Sequence, residues 1–312
     1  MSFTARTMAT IQGLLIPWRF LSLSASFIPP TLQTLYHEHG GLLGLLTLLL
    51  FSPSYFHTRW FTNFWSWFGP NVRRNAGALV VPLLEGRTHN GRVVDGGAAT
   101  GPGIGGVVME IGAGSGLWVD VFSDDRYLPA AAEGGGSGGA GGNGVGRKRI
   151  TRVYGIEPSA DQHPKLRQAV RDAGLEDVYE IVPVGIEDLD TTKNKKWDGH
   201  IEKGSVDCIV SVLCLCSIPE PERNVRELYG YLKQGGRWYV YEHVRTEHSW
   251  YMLLYQRFIN IFWPYFLGGC LLCRPTERTL REAGHWSKID VDQPASSAWH
   301  DTLPHILGVF TK

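Results

Sequence analysis

One stretch constrains this chain more than any other: Val107-Val108-Met109-Glu110-Ile111-Gly112-Ala113-Gly114-Ser115-Gly116. An apolar run of strand length ends in an acid and passes directly into a turn with glycine at every second position. Such runs suit strands covered on both faces, as in a parallel sheet. Ligands of parallel α/β sheets bind at the carboxyl edge of the strands, and glycines there let the backbone come close to them. A second strand-like run, Arg152-Val153-Tyr154-Gly155-Ile156-Glu157-Pro158, delivers another acid at its own end. Strand, glycine turn, helix, strand and acid together form the pattern of a nucleotide-binding half-fold.

Bulk composition narrows the function. The 312 residues carry 30 basic and 30 acidic side chains, a formal net charge of zero. No basic excess suits a phosphate-backbone partner, so nucleic acid is not expected. The cysteines, Cys208, Cys214, Cys216, Cys270 and Cys273, are odd in number and sit mostly in apolar segments. That is not a disulfide framework, and it implies a reducing compartment. The pairs Cys214/Cys216 and Cys270/Cys273 are read as small buried hydrophobes rather than zinc ligands. His37-Glu38-His39 is likewise not read as a metal site, and no metal is expected.

Residues 1–70 form an apolar, aromatic leader. Ile11–Ile16 is interrupted by Pro17, Trp18 and Arg19, and Leu42–Phe51 is shorter than the roughly 20 residues a spanning helix needs. Trp18, Phe20, Trp60, Phe61, Phe64, Trp65, Trp67 and Phe68 flank that run, as aromatic belts flank membranes. The leader is therefore expected to associate with a membrane. Residues 71–106 read as a helix, with Ala76, Leu79, Val80, Leu83 and Leu84 on one face, followed by a glycine-rich linker. Residues 107–312 read as one doubly wound α/β domain. A helix over Gly114–Phe122 is expected, and a glycine-rich insertion at 130–149 is expected to be disordered. Further strands are expected at Val153–Glu157, Val178–Val182, Val206–Leu213, Arg237–Glu242, Ser287–Val291 and Ile306–Thr311. Helices are expected at Pro164–Ala173, Glu222–Leu232, Trp250–Phe266 (broken at Pro264) and Thr276–Ala283, the last capped by Thr276.

Five elements resemble, in order, the class I S-adenosylmethionine-dependent methyltransferases. They are Glu110-Ile-Gly112-Ala-Gly114-Ser-Gly116, Gly155-Ile-Glu157-Pro158, Gly185-Ile-Glu187-Asp188, Gly204-Ser205-Val206-Asp207 and Leu232-Lys-Gln-Gly235-Gly236-Arg-Trp238. They cover roughly residues 107–245. Leu213-Cys214-Leu215-Cys216-Ser217, Tyr241-Glu242-His243-Val244, Gly269-Cys270 and Pro304-His305-Ile306-Leu307-Gly308 are similar to the membrane-anchored thiol methyltransferases of endoplasmic reticulum and lipid droplets. The resemblance implies a Rossmann-like seven-stranded sheet ending in a partly antiparallel hairpin, with S-adenosylmethionine as cofactor. It also implies a small lipophilic acceptor, with a thiol foremost and hydroxyl or amine acceptors as alternatives. The location it implies is the endoplasmic reticulum or a lipid droplet, with the catalytic domain in the cytosol.

In that frame Gly112, Gly114 and Gly116 pass under the methionine and ribose, with Glu110 behind the turn. Glu157 accepts the two ribose hydroxyls. Ile186 and Glu187 meet the adenine, and Leu213 and Cys214 line the methionine end. A nicotinamide dehydrogenase would need Gly-x-Gly-x-x-Gly, and position 117 is Leu. A non-catalytic membrane scaffold would not need the acids and glycines kept together. His243 and His305 are the candidate proton acceptors. The helically spaced stripe Trp250, Tyr251, Leu254, Tyr255, Phe258, Phe262 and Trp263 is expected to face a core, with part of it joining Trp60–Phe68 around an apolar acceptor pocket that opens toward the bilayer.

Overall fold

The computed structural model describes residues 3–94, 96, 98–123, 149–190, 196–247, 249–295 and 297–312. The glycine-rich insertion lies, apart from Arg149, outside them. The helices are α1 (Phe3–Ala25), α2 (Ile28–Glu38), α3 (Leu42–Phe51), α4 (Pro53–Leu84), α5 (His163–Asp172), α6 (Pro221–Tyr231), α7 (Trp250–Asn260), α8 (Trp263–Phe266) and α9 (Thr276–Arg281). The strands are β1 (Thr88–His89), β2 (Arg92–Val93), β3 (Gly106–Ile111), β4 (Ile150–Ile156), β5 (Tyr179–Val182), β6 (Val206–Val212), β7 (Leu232–His243), β8 (Lys288–Asp292) and β9 (His305–Thr311). The chain forms two compact units. One gathers Met1–Asn71, His243–Thr276 and Ser296–His305, and the other Val72–Glu242, Glu277–Ala295 and Ile306–Lys312.

The second unit is built on a seven-stranded sheet of order β5-β4-β3-β6-β7-β9-β8. The β3–β4, β4–β5, β3–β6 and β6–β7 pairs are parallel, and β8–β9 is antiparallel. This is the doubly wound α/β sheet expected. The chain winds outward from β3 through β4 to β5, then returns to β6 on the other side of β3. The switch point, where such sheets bind ligands, therefore lies between β3 and β6. Val108, Val153, Cys208, Val210 and Tyr239 fill the core with Val80 and Leu83 of α4. Arg73 lies over the Trp118 ring at 4.4 Å and pairs with Asp120 at 2.9 Å, tying α4 to the segment after the glycine turn.

That segment is not the helix expected over Gly114–Phe122. Gly114 and Gly116 have φ of 56° and 85°, left-handed values that an α-helix does not accept, so only a 3₁₀ turn at Val119–Phe122 forms. Thr276 stands as the first residue of α9 rather than as its cap, and its buried hydroxyl has no hydrogen-bond partner among the described residues.

The first unit contains α1–α3, α7 and α8. Contrary to the interruption expected at Pro17, α1 runs through it for 23 residues. The proline forfeits one backbone bond and its ring crowds the Gly13 carbonyl, a local cost that does not stop the helix; residue 13 is glycine where a Cβ would lie 2.6 Å from the His300 ring. Phe64, Ile259, Trp263 and Leu272 form this unit's core with Leu21 and Leu267. The stripe on α7 is the second departure. Trp263 is buried and Tyr255 half-buried, but Trp250, Tyr251, Leu254, Phe258 and Phe262 are exposed. The inward face of α7 is instead Met252, Gln256 and Ile259.

Glu110, at the end of β3, is 3% exposed and receives the Tyr179 hydroxyl from β5 at 2.5 Å. The hydroxyl reaches it across β4 because residue 155 is glycine: a Cβ there would collide with the Tyr179 ring. Burial pushes the Glu110 carboxyl up to about 8; the Tyr179 bond opposes this, and the charges of Glu157 and Asp120 add to it.

Two outcomes are expected. The folded chain retains the Glu110 proton between about pH 4.5 and 8 while the unfolded chain releases it, so stability falls as pH rises through that window. Denaturant unfolding should show this loss, on the order of 4 kcal/mol from pH 5 to pH 8, in wild type relative to Glu110→Gln. A parallel pH dependence in the two proteins would refute it. Gly155→Ala should cost about 2 kcal/mol or more in the same measurement, because the Tyr179 ring must move and its bond to Glu110 is lost.

Candidate functional site

At the switch point the chain leaves β3 through a turn whose three glycines have different surroundings. Gly112 (φ 69°) and Ala113 donate their backbone N–H groups to the Ile156 carbonyl at 3.0 and 3.1 Å. A Cβ on Gly112 would lie 2.6 Å from Cβ of Cys214, and one on Gly116 2.5 Å from Cβ of Ala169. These two positions exclude side chains because protein packs against them. Among the described residues, a Cβ on Gly114 would meet nothing closer than the Gly112 carbonyl oxygen at 3.9 Å, so the middle of the turn faces open space there.

Glu157 follows β4 and is held from two sides. Its Oε2 accepts from Gly114 N and its Oε1 from Ser159 N, both at 2.8 Å. His163 Nε2 lies 2.8 Å from the Glu157 carbonyl oxygen. Burial raises the Glu157 carboxyl, and the bonds from Ser159 and Gly114 hold it down. A carboxylate has about four lone-pair sites, so two remain after these bonds. Ile186 is buried at the start of the 3₁₀ turn Ile186–Asp188, whereas Glu187 is exposed with its carboxylate folded over Gly185.

Beyond β6 the backbone is strained. Leu213 has φ 56°, uncommon for a residue with a side chain, and its N–H donates to the Tyr241 carbonyl at 2.9 Å. Glu242, fully buried at the end of β7, accepts from Cys214 N at 3.0 Å, Leu215 N at 3.2 Å and Cys214 Sγ at 3.4 Å. Burial, then the Glu242 charge, pushes the Cys214 thiol well above its ordinary range, so Cys214 stays protonated. The sheet thus brings together Glu110, Gly112, Gly114, Gly116, Glu157, Leu213 and Cys214.

Glu242 and Tyr179 were not singled out from the sequence. Glu242 had a readable signal, an acid closing an apolar strand, like Glu110 and Glu157. Tyr179 had none, since nothing in a short run shows that its hydroxyl crosses a neighbouring strand.

The candidate histidines His243 and His305 both lie in the first unit. His243 Nε2 lies 2.9 Å from Cys270 Sγ, which also accepts from Trp263 Nε1 at 3.2 Å. The His305 ring stands edge-on to His243 at 6.4 Å. Burial, then the charge of His243, draws His305 down to about 3, so it is neutral across the physiological range.

Residues 68–285 match the family model described as a methyltransferase domain. Over 114 residues, 36% of this chain, the sequence is 34% identical to thiol S-methyltransferase TMT1A of Homo sapiens and 33% identical to thiol S-methyltransferase TMT1B of Rattus norvegicus. The match spans about half the length of these relatives, 46% of each. Among solved structures, a geranyl diphosphate methyltransferase in complex with S-adenosylmethionine aligns at TM-score 0.46 and 14% identity, covering 77% of this chain and 84% of that one. With its glycine turn, strand-end acids and a family match over well more than half its length, the chain belongs to the methyltransferase domain family.

Proposed function

We propose that this protein transfers a methyl group from S-adenosylmethionine to the thiol of a small lipophilic acceptor, at a membrane of the endoplasmic reticulum or lipid droplets with the catalytic domain in the cytosol. One observation carries the reading: an open space over Gly114 bordered by a carboxylate with two unused lone pairs. That arrangement fits a ligand with a vicinal diol, and the cofactor supplies a sulfonium-bound methyl when bound. Glu157 accepts the diol, and Gly112 and Gly116 set the turn beneath it. Glu110 lies behind that turn. Ile186 packs on the adenine with Glu187 at its rim. Leu213 and Cys214 border the methionine end, where Glu242 fixes their backbone. Methyl transfer is an in-line displacement, so the protein's main contribution is alignment and exclusion of water.

A thiol reacts as its thiolate, so a nearby base is needed. Of the two candidates, His243 suits that role better than His305, which is held neutral well below neutral pH. The thiol preference is supported by the two relatives named above and by the motifs at Cys214, His243, Cys270 and His305. The membrane location is supported by Thr7–Glu38, long and apolar enough to cross a bilayer.

Calorimetric titration of S-adenosylmethionine should show micromolar binding to wild type, weakened on the order of 100-fold or more in Glu157→Ala, the worth of two charge-assisted hydrogen bonds. Because Glu157 also holds Gly114, Glu157→Gln provides a control that keeps the side chain's size. Equal binding by all three proteins would remove Glu157 from the ribose. With cofactor bound, small alkyl and aryl thiols should yield thioethers by mass spectrometry, whereas matched phenols and amines should not. Faster methylation of an amine or phenol would reassign the acceptor.

A further inference from the structure

The first unit presents a broad apolar face of α7 outward. Along α7, Trp250, Tyr251, Leu254 and Phe258 fall within an arc of about 100°, and all four are exposed, Trp250 to 74%. The exposed apolar surface continues past the helix end through Ile261, Phe262 and Tyr265. The polar group of the helix points the other way. Gln256 is 1% exposed, accepting from Thr246 N at 3.0 Å and donating to the Thr302 carbonyl at 3.2 Å. A helix in water buries its apolar stripe and exposes its polar one. Here the inward face holds Met252, Ile259 and the hydrogen-bonded Gln256, and the large apolar residues also point out; a contiguous exposed apolar surface of this kind marks a contact with another apolar phase.

Two observations identify that phase. First, α7 is clamped to α1. The Tyr255 hydroxyl donates to the Leu14 carbonyl at 2.5 Å and accepts from Trp18 Nε1 at 2.9 Å, and the Trp18 ring lies 6.0 Å from Phe258 and 6.3 Å from Phe262. α1 belongs to Thr7–Glu38, and only 22% of its apolar window is buried, unlike the core helix of a soluble protein. Met8, Ile11, Leu15 and Ile16 of α1 are exposed as well. Second, no acid lies between Glu247 and Glu277 or before Glu38. Exposed Arg257 and Arg19 flank the apolar residues, as cations do where a helix lies at an anionic headgroup layer.

We propose that α7 and the residues up to Tyr265 form a second membrane-contacting element, lying in the bilayer interface beside α1. The segment after β7 is then held by lipid as well as by the leader. The occupant is a phospholipid surface containing anionic headgroups. The inference extends the membrane reading of the leader and does not depend on methyl transfer.

The test is site-specific photocrosslinking of the full chain bound to phosphatidylcholine/phosphatidylserine vesicles, with p-benzoylphenylalanine in turn at Leu254, Phe258, Leu15 and Lys165. All four positions are exposed, and at Phe258 the substituted phenylalanine keeps the ring that meets Trp18. Lipid adducts at 254 and 258 in yields comparable to those at 15, with none at 165, are expected. Lipid adducts at 15 alone would overturn the inference while keeping the leader at the membrane. Crosslinks between two copies at 254 or 258 would make this face a dimer interface. An absence of adducts at 15, 254 and 258 alike would overturn both readings.

Discussion

Buried acids at the ends of the parallel strands are the constraint on which the crevice depends. Where strands stop, the loops leaving them expose backbone N–H groups that need acceptors. Glu157 accepts from Gly114 and Ser159, and Glu242 from Cys214 and Leu215. Glu110 is met by Tyr179. Each acid closes its strand, and two of them fix the loops that follow β3 and β6, the pair flanking the switch point. Hydrogen bonds to charged acceptors are among the stronger ones in proteins, and a buried acid left without partners would be costly. Removing such an acid therefore displaces the crevice lining as well as the charge.

The opposite end of the same strands shows the complementary arrangement. Asp207 accepts from Val107 N at 2.8 Å and pairs with Lys233 at 3.0 Å, joining the starts of β3, β6 and β7. This acid is part-exposed and has a cation at hand, whereas the crevice acids rely on backbone N–H groups and a phenol. The sheet is thus pinned at one edge by an ordinary ion pair, while its other edge keeps acceptor capacity available to a ligand.

Much of this was legible in the sequence, because apolar runs ending in acids mark both a strand and the direction it points. The strands of the main sheet, α5, α6 and the turn between Gly112 and Gly116 all follow from such local signals, whereas the short β1–β2 hairpin lies where a linker was expected. What was not legible depends on partners distant along the chain. The turn after Gly116 contains residues suited to a helix, yet two left-handed glycines leave too little chain for one before Ser123. The stripe at 250–263 has true helical periodicity, but periodicity identifies a face without saying what it meets. Gln256 packs inward only because Thr246 N and the Thr302 carbonyl satisfy its amide, partners that the local pattern does not show.

The chemistry proposed for the crevice imposes one more requirement. An enzyme that methylates thiols must spare its own, and Cys214 borders the place assigned to the methionine end. The thiolate is the nucleophile, so the safeguard is to keep Cys214 protonated. Burial raises its thiol first, and the adjacent Glu242 charge raises it further while receiving the S–H at 3.4 Å. The same carboxylate that fixes the backbone of Cys214 and Leu215 therefore also suppresses the reactivity of the side chain there. Replacing that cysteine would leave Glu242 its backbone donors, whereas replacing Glu242 would free both the loop and the thiol. The two residues are unequal partners, with the acid governing the cysteine.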